Sequence, residues 1–342
     1  MYNKKKLIIA ARGSLLSRAQ VEFVRKLLAA VGVQTEFLPV RTKGDRNRTD
    51  ALRAIGGDGL FVREVEKYLL DGTADLAVHC GKDLPYRIAE GLVIGGVPAA
   101  EDPRDCLLYP AGRTIEELRK IGTGSARRIS ELKRHLPQAK CLEIRGNINS
   151  RIDKLRDGQY DGILLAKAGL ERLKPDLQGL SVRVFAPDEM IPAACQGILA
   201  LECRADDVDT IEILRAITDD AARERFETER ELFCRMQADC ATAVGVYAEF
   251  EEQKHAPGAY GEEAAIYPAG SGNEAAARPG DTAENTARTR PAFCGDVSEP
   301  RKYLRIRAMF DEKSAAAEGA ASSRARLIGE ILENIYSRKE PE

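Results

Sequence analysis

The chain has 342 residues, enough for two or three domains, and its 44% hydrophobic and 31% charged content is that of a soluble globular protein. A formal net charge of -2 supplies no overall attraction to nucleic acid or to a membrane, and with no Trp and 6% aromatics there is little material for base stacking. Eight scattered cysteines without CxxC spacing and three histidines complete no zinc pattern, so no metal site is expected and a reducing, cytoplasmic setting is. The start, MYNKKKLIIAAR, has an apolar run too short for a secretory signal, and no stretch approaches membrane-span length.

In chain order, Lys6 to Ala11 reads as a strand and Arg12-Gly13-Ser14 as a tight turn with Ser14 an N-cap. The helix that follows carries Leu16, Ala19, Phe23, Val24, Leu27, Leu28 and Val31 on one face. A strand that feeds a helix through a short Gly turn leaves free N–H groups for an anion, with Arg12 at the mouth. Thr35 to Val40 is the next strand. Thr42 to Gly59 is long, charged and Gly-rich, the composition of a lid or a disordered loop. A helix over Leu60 to Leu70 leads into Leu76-Ala77-Val78, a buried strand that ends in His79, Cys80, Gly81, Lys82 and Asp83 before Pro85. Open α/β sheets place their ligand crevices at such strand ends. On extended backbone Lys82 and Asp83 would point opposite ways. Asp83 could be a solvated turn residue. As a carboxylate among arginines it is suited to handling protons or stabilising a cation.

Leu92 to Val97 is a strand, and Glu101 to Arg104 (EDPR) crosses into a second unit. There Cys106 to Tyr109 is a strand and Thr114 to Glu117 a capping box. Ile121 to Ser125, with Thr123 and Ser125, opens a helix bearing Arg127 and Arg128; after the strand Cys141 to Ile144, Arg145-Gly146-Asn147 opens one bearing Arg151. The strand Gly162 to Ala166 precedes a short helix with Arg172. One arginine is most simply a solvated charge. Four (127, 128, 145, 151) near helix starts, where the dipole disfavours cations, point to a ligand with several negative charges, a small polycarboxylate or phosphate. Val182 to Phe185, turns through Pro187 and Pro192, and Ile198 to Cys203 read as a return to the first unit. A charged helix from Asp219 to about Met236 ends before Cys240, and Val244 to Phe250 is a strand. Residues 251–300 are aperiodic and rich in Ala, Gly, Glu and Pro, a largely disordered insertion. Tyr303 to Phe310 is a strand, and the last helix presents Leu327, Ile328, Ile331, Leu332 and Ile335. The expected domains are 1–100 with 196–218, 101–195, and a small α+β unit over 219–342.

The segments ARGSLLSRAQ, TKGD, GGDGLFVREVE, ADLAVHCGKDLP, EDPRD, GTGSARR, RGNINSR, AGLERL, PAACQG and LECR, with the Cys240 segment, occur in an order and spacing that resembles the porphobilinogen deaminase (hydroxymethylbilane synthase) family. The resemblance covers about residues 6 to 250 and resumes in the last strand and helix. It implies two α/β domains like type II periplasmic binding proteins, plus an α+β third domain. It implies an enzyme that joins four porphobilinogen molecules head to tail, releasing ammonia, on a dipyrromethane cofactor held by a thioether to Cys240. Asp83 matches the family's catalytic aspartate. Lys82, Thr123, Ser125, Arg127, Arg128, Arg145 and Gly146 match its cofactor contacts, and Arg12, Ser14, Arg151 and Arg172 its substrate contacts. The loop 42–59 matches its lid, and a monomer without nucleic-acid or membrane partners is implied. The chain departs from the family pattern in Ala238-Asp239-Cys240 (usually Gly-Gly-Cys), Asp58 (usually Lys), Cys80 and Gly124 (usually Ser) and Cys195 (usually Gly). A non-catalytic, two-lobed binder of a polycarboxylate is the alternative; it would keep its ligand with Cys240 replaced.

Overall fold

The computed structural model describes residues 2, 4–41, 60–237, 242–252, 302–310 and 313–336. The expected lid 42–59, nearly all of the expected insertion 251–300, and Cys240 lie outside these residues.

The first sheet holds β1 (Lys6–Arg12), β2 (Gln34–Val40), β3 (Leu76–Cys80), β4 (Leu92–Gly96) and β10 (Leu199–Arg204), in the order β2-β1-β3-β10-β4. The first three strands are parallel, and β10 runs antiparallel to β3 and β4. The second sheet repeats this plan with β5 (Asp105–Pro110), β6 (Lys120–Gly122), β7 (Lys140–Leu142), β8 (Gly162–Ala166) and β9 (Leu180–Val184), in the order β7-β6-β8-β5-β9. Here β5 is the antiparallel strand, paired with β8 and β9. In each sheet the fourth place is taken by the strand that has just crossed over from the other. This double crossover is the topology of type II periplasmic binding proteins. A third, antiparallel sheet is built from β11 (Val244–Glu252), β12 (Lys302–Phe310) and β13 (Lys313–Ala320).

Helices cover both large sheets because their strands are apolar on both faces. Against the first sheet lie α1 (Leu15–Ala30) and α2 (Leu60–Leu70), with α6 (Val208–Ala216) after β10. Against the second lie α3 (Ala126–His135), α4 (Ile148–Arg156) and α5 (Lys167–Leu173). The charged helix α7 (Asp220–Arg235) starts on the N-cap Asp219, whose side chain accepts from Ala222 N. It packs on β11 and shares a core with α8 (Arg324–Tyr336), where Leu327, Ile328, Ile331 and Ile335 are buried and Leu332 partly so. Among the described residues no helix is long and apolar enough to cross a membrane, and no group of three or more His, Cys, Asp or Glu could hold a metal.

Four expectations shift. Gly81–Asp83 is a turn of 3-10 helix rather than extended backbone, so Lys82 and Asp83 are not set on opposite sides of a strand. Val182 to Phe185 does not begin the return to the first unit: Leu180–Val184 is the edge strand of the second sheet, and the return follows it. The buried face of α1 is Ser17, Gln20, Val21, Val24 and Leu28, rotated from the apolar stripe, and Gln20 donates to Cys80 Sγ at 2.9 Å. The strand β13, KSAAAEGA, carries no apolar alternation and forms by pairing with β12 along its whole length.

Candidate active site

The C-terminal ends of the parallel strands deliver the site, since each turns there into a helix start. After β1, Arg12 ends the strand and Ser14 caps α1, its hydroxyl accepting from Ser17 N at 3.2 Å. After β6, Thr123 is buried and accepts from Ser125 N at 3.3 Å, and Ser125 caps α3 by accepting from Arg128 N. After β7, Gly146 takes φ +112, a left-handed backbone that suits glycine, and a Cβ there would meet Ser150 Cβ at 2.9 Å. The Gly146 carbonyl accepts from Arg151 Nε at 2.8 Å, and Asn147 caps α4.

After β3 comes the turn with Lys82 and Asp83, both exposed. Gly81 N donates to Ile198 O at 2.8 Å, which pins the turn to the segment entering β10. A Cβ on Gly81 would meet Cys195 Cβ at 2.8 Å, so only glycine fits against that segment. Cys195 itself has φ +60, the conformation the family's usual glycine would take freely. The surrounding protein, then Arg128, push the Lys82 ammonium pKa down, while Asp83 opposes. The side chain reaches solvent even so, as expected for a cation on a cleft floor. Burial raises the Cys80 thiol; Asp83 adds to this, and Arg172 and Lys82 oppose it. Arg172 thus acts on the end of β3 from the second lobe, where α5 lies against α1.

Arg127 and Arg128 are buried and turned onto Asp105, the first residue of β5. Arg127 Nη1 donates to Asp105 Oδ2 at 2.6 Å, and Arg128 Nε donates to Asp105 Oδ1 at 2.9 Å. They also hold the Ile191 and Leu164 carbonyls. Burial alone would raise the Asp105 carboxyl pKa; Arg127 and then Arg128 hold it well below the ordinary range. Gln196 completes the group. It donates to Pro103 O at 2.6 Å and Asp105 Oδ1 at 3.2 Å, and accepts from Lys82 Nζ at 3.2 Å. Sequence reasoning quoted Asp105 and Gln196 within EDPRD and PAACQG without giving them roles. The available signal was, for Gln196, a polar side chain in the otherwise apolar PAACQG and, for Asp105, a carboxylate opening the apolar strand CLLY.

Burial and then Arg128 lower the Arg151 pKa, the mark of positive charges crowded together. Arg145 binds Glu143 through Nε at 3.1 Å, while its buried Nη2 has no hydrogen-bond partner. A group with several carboxylates fits these donors, and a dipyrromethane, with an acetate and a propionate on each ring, is such a group. Cys240, its expected anchor, lies outside the described residues.

The fold and site define a two-lobed α/β protein in which an exposed turn bearing Asp83 meets an arginine-rich second lobe. Residues 7–212 match the family model described as "Porphobilinogen deaminase, dipyromethane cofactor binding domain". The porphobilinogen deaminase of Exiguobacterium sibiricum is 39% identical over 253 residues, 72% of this chain and 82% of that protein. That of Brevibacillus brevis is 39% identical over 246 residues, 70% and 79% respectively. The probable porphobilinogen deaminase of Methanosarcina acetivorans is 42% identical over 255 residues, 72% and 78%. The chain belongs to the porphobilinogen deaminase family.

Proposed function

We propose that this protein is a hydroxymethylbilane synthase of tetrapyrrole biosynthesis, a transferase that joins four porphobilinogen molecules head to tail with release of four ammonia. The observation that carries the reading is the exposed turn bearing Lys82 and Asp83, tied through Gln196 to the second lobe, where Arg145 and Arg151 flank the start of α4. When bound on Cys240, the dipyrromethane supplies the nucleophilic pyrrole carbon from which the chain grows.

The protein's own groups bind, orient and move protons. Arg145, the Gly146 turn, Lys82, Thr123 and Ser125 would hold the cofactor's carboxylates, and Arg151 would serve the substrate. Arg127 and Arg128, spent largely on Asp105, set the positive field and the lie of α3. Arg12, Ser14 and Arg172 take the acetate and propionate of the incoming porphobilinogen. Loss of ammonia leaves that ring cationic, and Asp83 stabilises the charge and accepts the ring N–H. Three domains, 1–100 with 196–218, 101–195 and 219–342, carry these parts, in a monomer working in the cytoplasm.

Intact mass with peptide mapping tests the reading. An adduct of two porphobilinogen units less two ammonias on Cys240 is expected. A chain still unmodified after incubation with porphobilinogen would overturn it in favour of a binder.

A further inference from the structure

Two carboxylates of the EDPRD crossing occupy arginines that the ligand reading assigns to substrate or cofactor, and they hold them very differently. Asp105 is fully buried and takes aligned hydrogen bonds from Arg127, Arg128 and Gln196. Removing any of these donors would leave a buried charge short of partners, so this cluster is permanent structure. Glu101 meets Arg172 in one ion pair, Nε to Oε2 at 2.6 Å. The two atoms approach without the alignment of a hydrogen bond, and the Glu101 side chain keeps 25% of its surface exposed. Oε2 itself is buried against Arg172, but the exposed part of the side chain gives the carboxylate a short path to water when another group takes the arginine.

Arg172 is the scarcer partner. Its side chain is only 10% exposed, and it acts on the Cys80 end of β3 across the cleft. A carboxylate arriving beside Cys80 and Asp83 meets a guanidinium already neutralised by Glu101. Glu101 also stands where the two crossings touch, its N–H donating to Gly197 O at 2.9 Å.

We propose that Glu101 is an affinity-setting residue: it competes with a substrate carboxylate for Arg172 and yields that arginine when porphobilinogen binds. The competition weakens binding, and it carries substrate arrival to the joint between the lobes. This inference rests on the assignment of Arg172 to substrate.

The test uses the holoprotein with its cofactor and porphobilinogen as the probe. Glu101→Gln keeps the shape and removes the competing charge. Its KM should fall about two- to fivefold, the worth of a partly exposed ion pair. In an Arg172→Gln background the same change should do nothing, because the contested group is gone. An unchanged or raised KM for folded Glu101→Gln, or an equal fall with Arg172 replaced, overturns the proposal. Should Glu101→Gln not fold, Glu101→Asp draws the carboxylate back by one methylene and should lower KM in the same direction; an unchanged KM for it also overturns the proposal. Ammonia release by the unaltered protein tests the activity separately. If there is none, the porphobilinogen concentration giving a half-maximal thermal shift replaces KM, with the same two outcomes.

Discussion

Lys82 Nζ donates to Gln196 Oε1 at 3.2 Å, and this contact ties the turn bearing Asp83 to the arginine pair of the other lobe. The amide of Gln196 has only one workable orientation: its oxygen faces an ammonium, and its nitrogen faces the Pro103 carbonyl and the Asp105 carboxylate. Replacing Gln196 with Ala frees Lys82 to wander and leaves Asp105 short of a donor. A hydrogen bond to a charged group contributes about 1.5–3 kcal/mol, so kcat/KM should fall roughly tenfold to a hundredfold. Steady-state kinetics with porphobilinogen decides this, and a value within twofold of the parent would refute the role.

Asp83→Asn keeps the size of the side chain and removes its charge. Asp83 is exposed, so the melting temperature should hardly move. Turnover should drop by about two to four orders of magnitude, the usual contribution of a positioned acid–base group. Near-normal ammonia release from the variant would remove Asp83 from the mechanism.

Asp105→Asn leaves two buried guanidiniums without a counter-charge. Breaking such a pair from one side costs about 3–5 kcal/mol, which denaturant titration reads directly. The pH dependence has a definite sign. The folded carboxyl pKa is held below its ordinary value of 3.8, so its stabilisation is complete above that value. It is lost as pH falls from there toward the folded pKa. The parent should lose stability with acid over that window more steeply than Asp105→Asn, and parallel curves would contradict the assignment.

Gly81→Ala puts a Cβ at 2.8 Å from Cys195 Cβ and 3.1 Å from the Cys195 carbonyl oxygen. Backbone has to give way on one side, at about 1–3 kcal/mol. The displaced element is the Lys82–Asp83 turn, so kcat should fall along with the melting temperature. Cys195→Gly in the same chain removes the facing Cβ and should recover part of both.

Much of this was legible from residue patterns. The N-cap Ser14, the helix starts after Ser125 and at Asp219, and the apolar stripe of α8 follow from local chemistry, and the structure keeps them, while the expected strands Lys6–Ala11 and Leu76–Val78 run on to Arg12 and Cys80. The buried Gln20 was not legible, because its partner, Cys80, lies 60 positions away in sequence. Nor was β13, whose alanines and serines favour a strand only beside β12. The arginine pattern pointed to an anion site as a class. It could not separate Arg127 and Arg128, turned inward onto Asp105, from Arg145, which keeps a spare donor, since that depends on how β5 enters the second sheet.

The double crossover has a mechanical consequence. The two connecting strands β5 and β10 are each locked into a sheet, so any rotation of one lobe against the other must be absorbed by the few residues just outside them. Those residues include Glu101, Pro103, Gln196 and Gly197, which also carry the polar contacts of the cleft. Bearing and sensor are the same atoms. Each increment of lobe rotation therefore changes the footing of Lys82 and Arg172 directly.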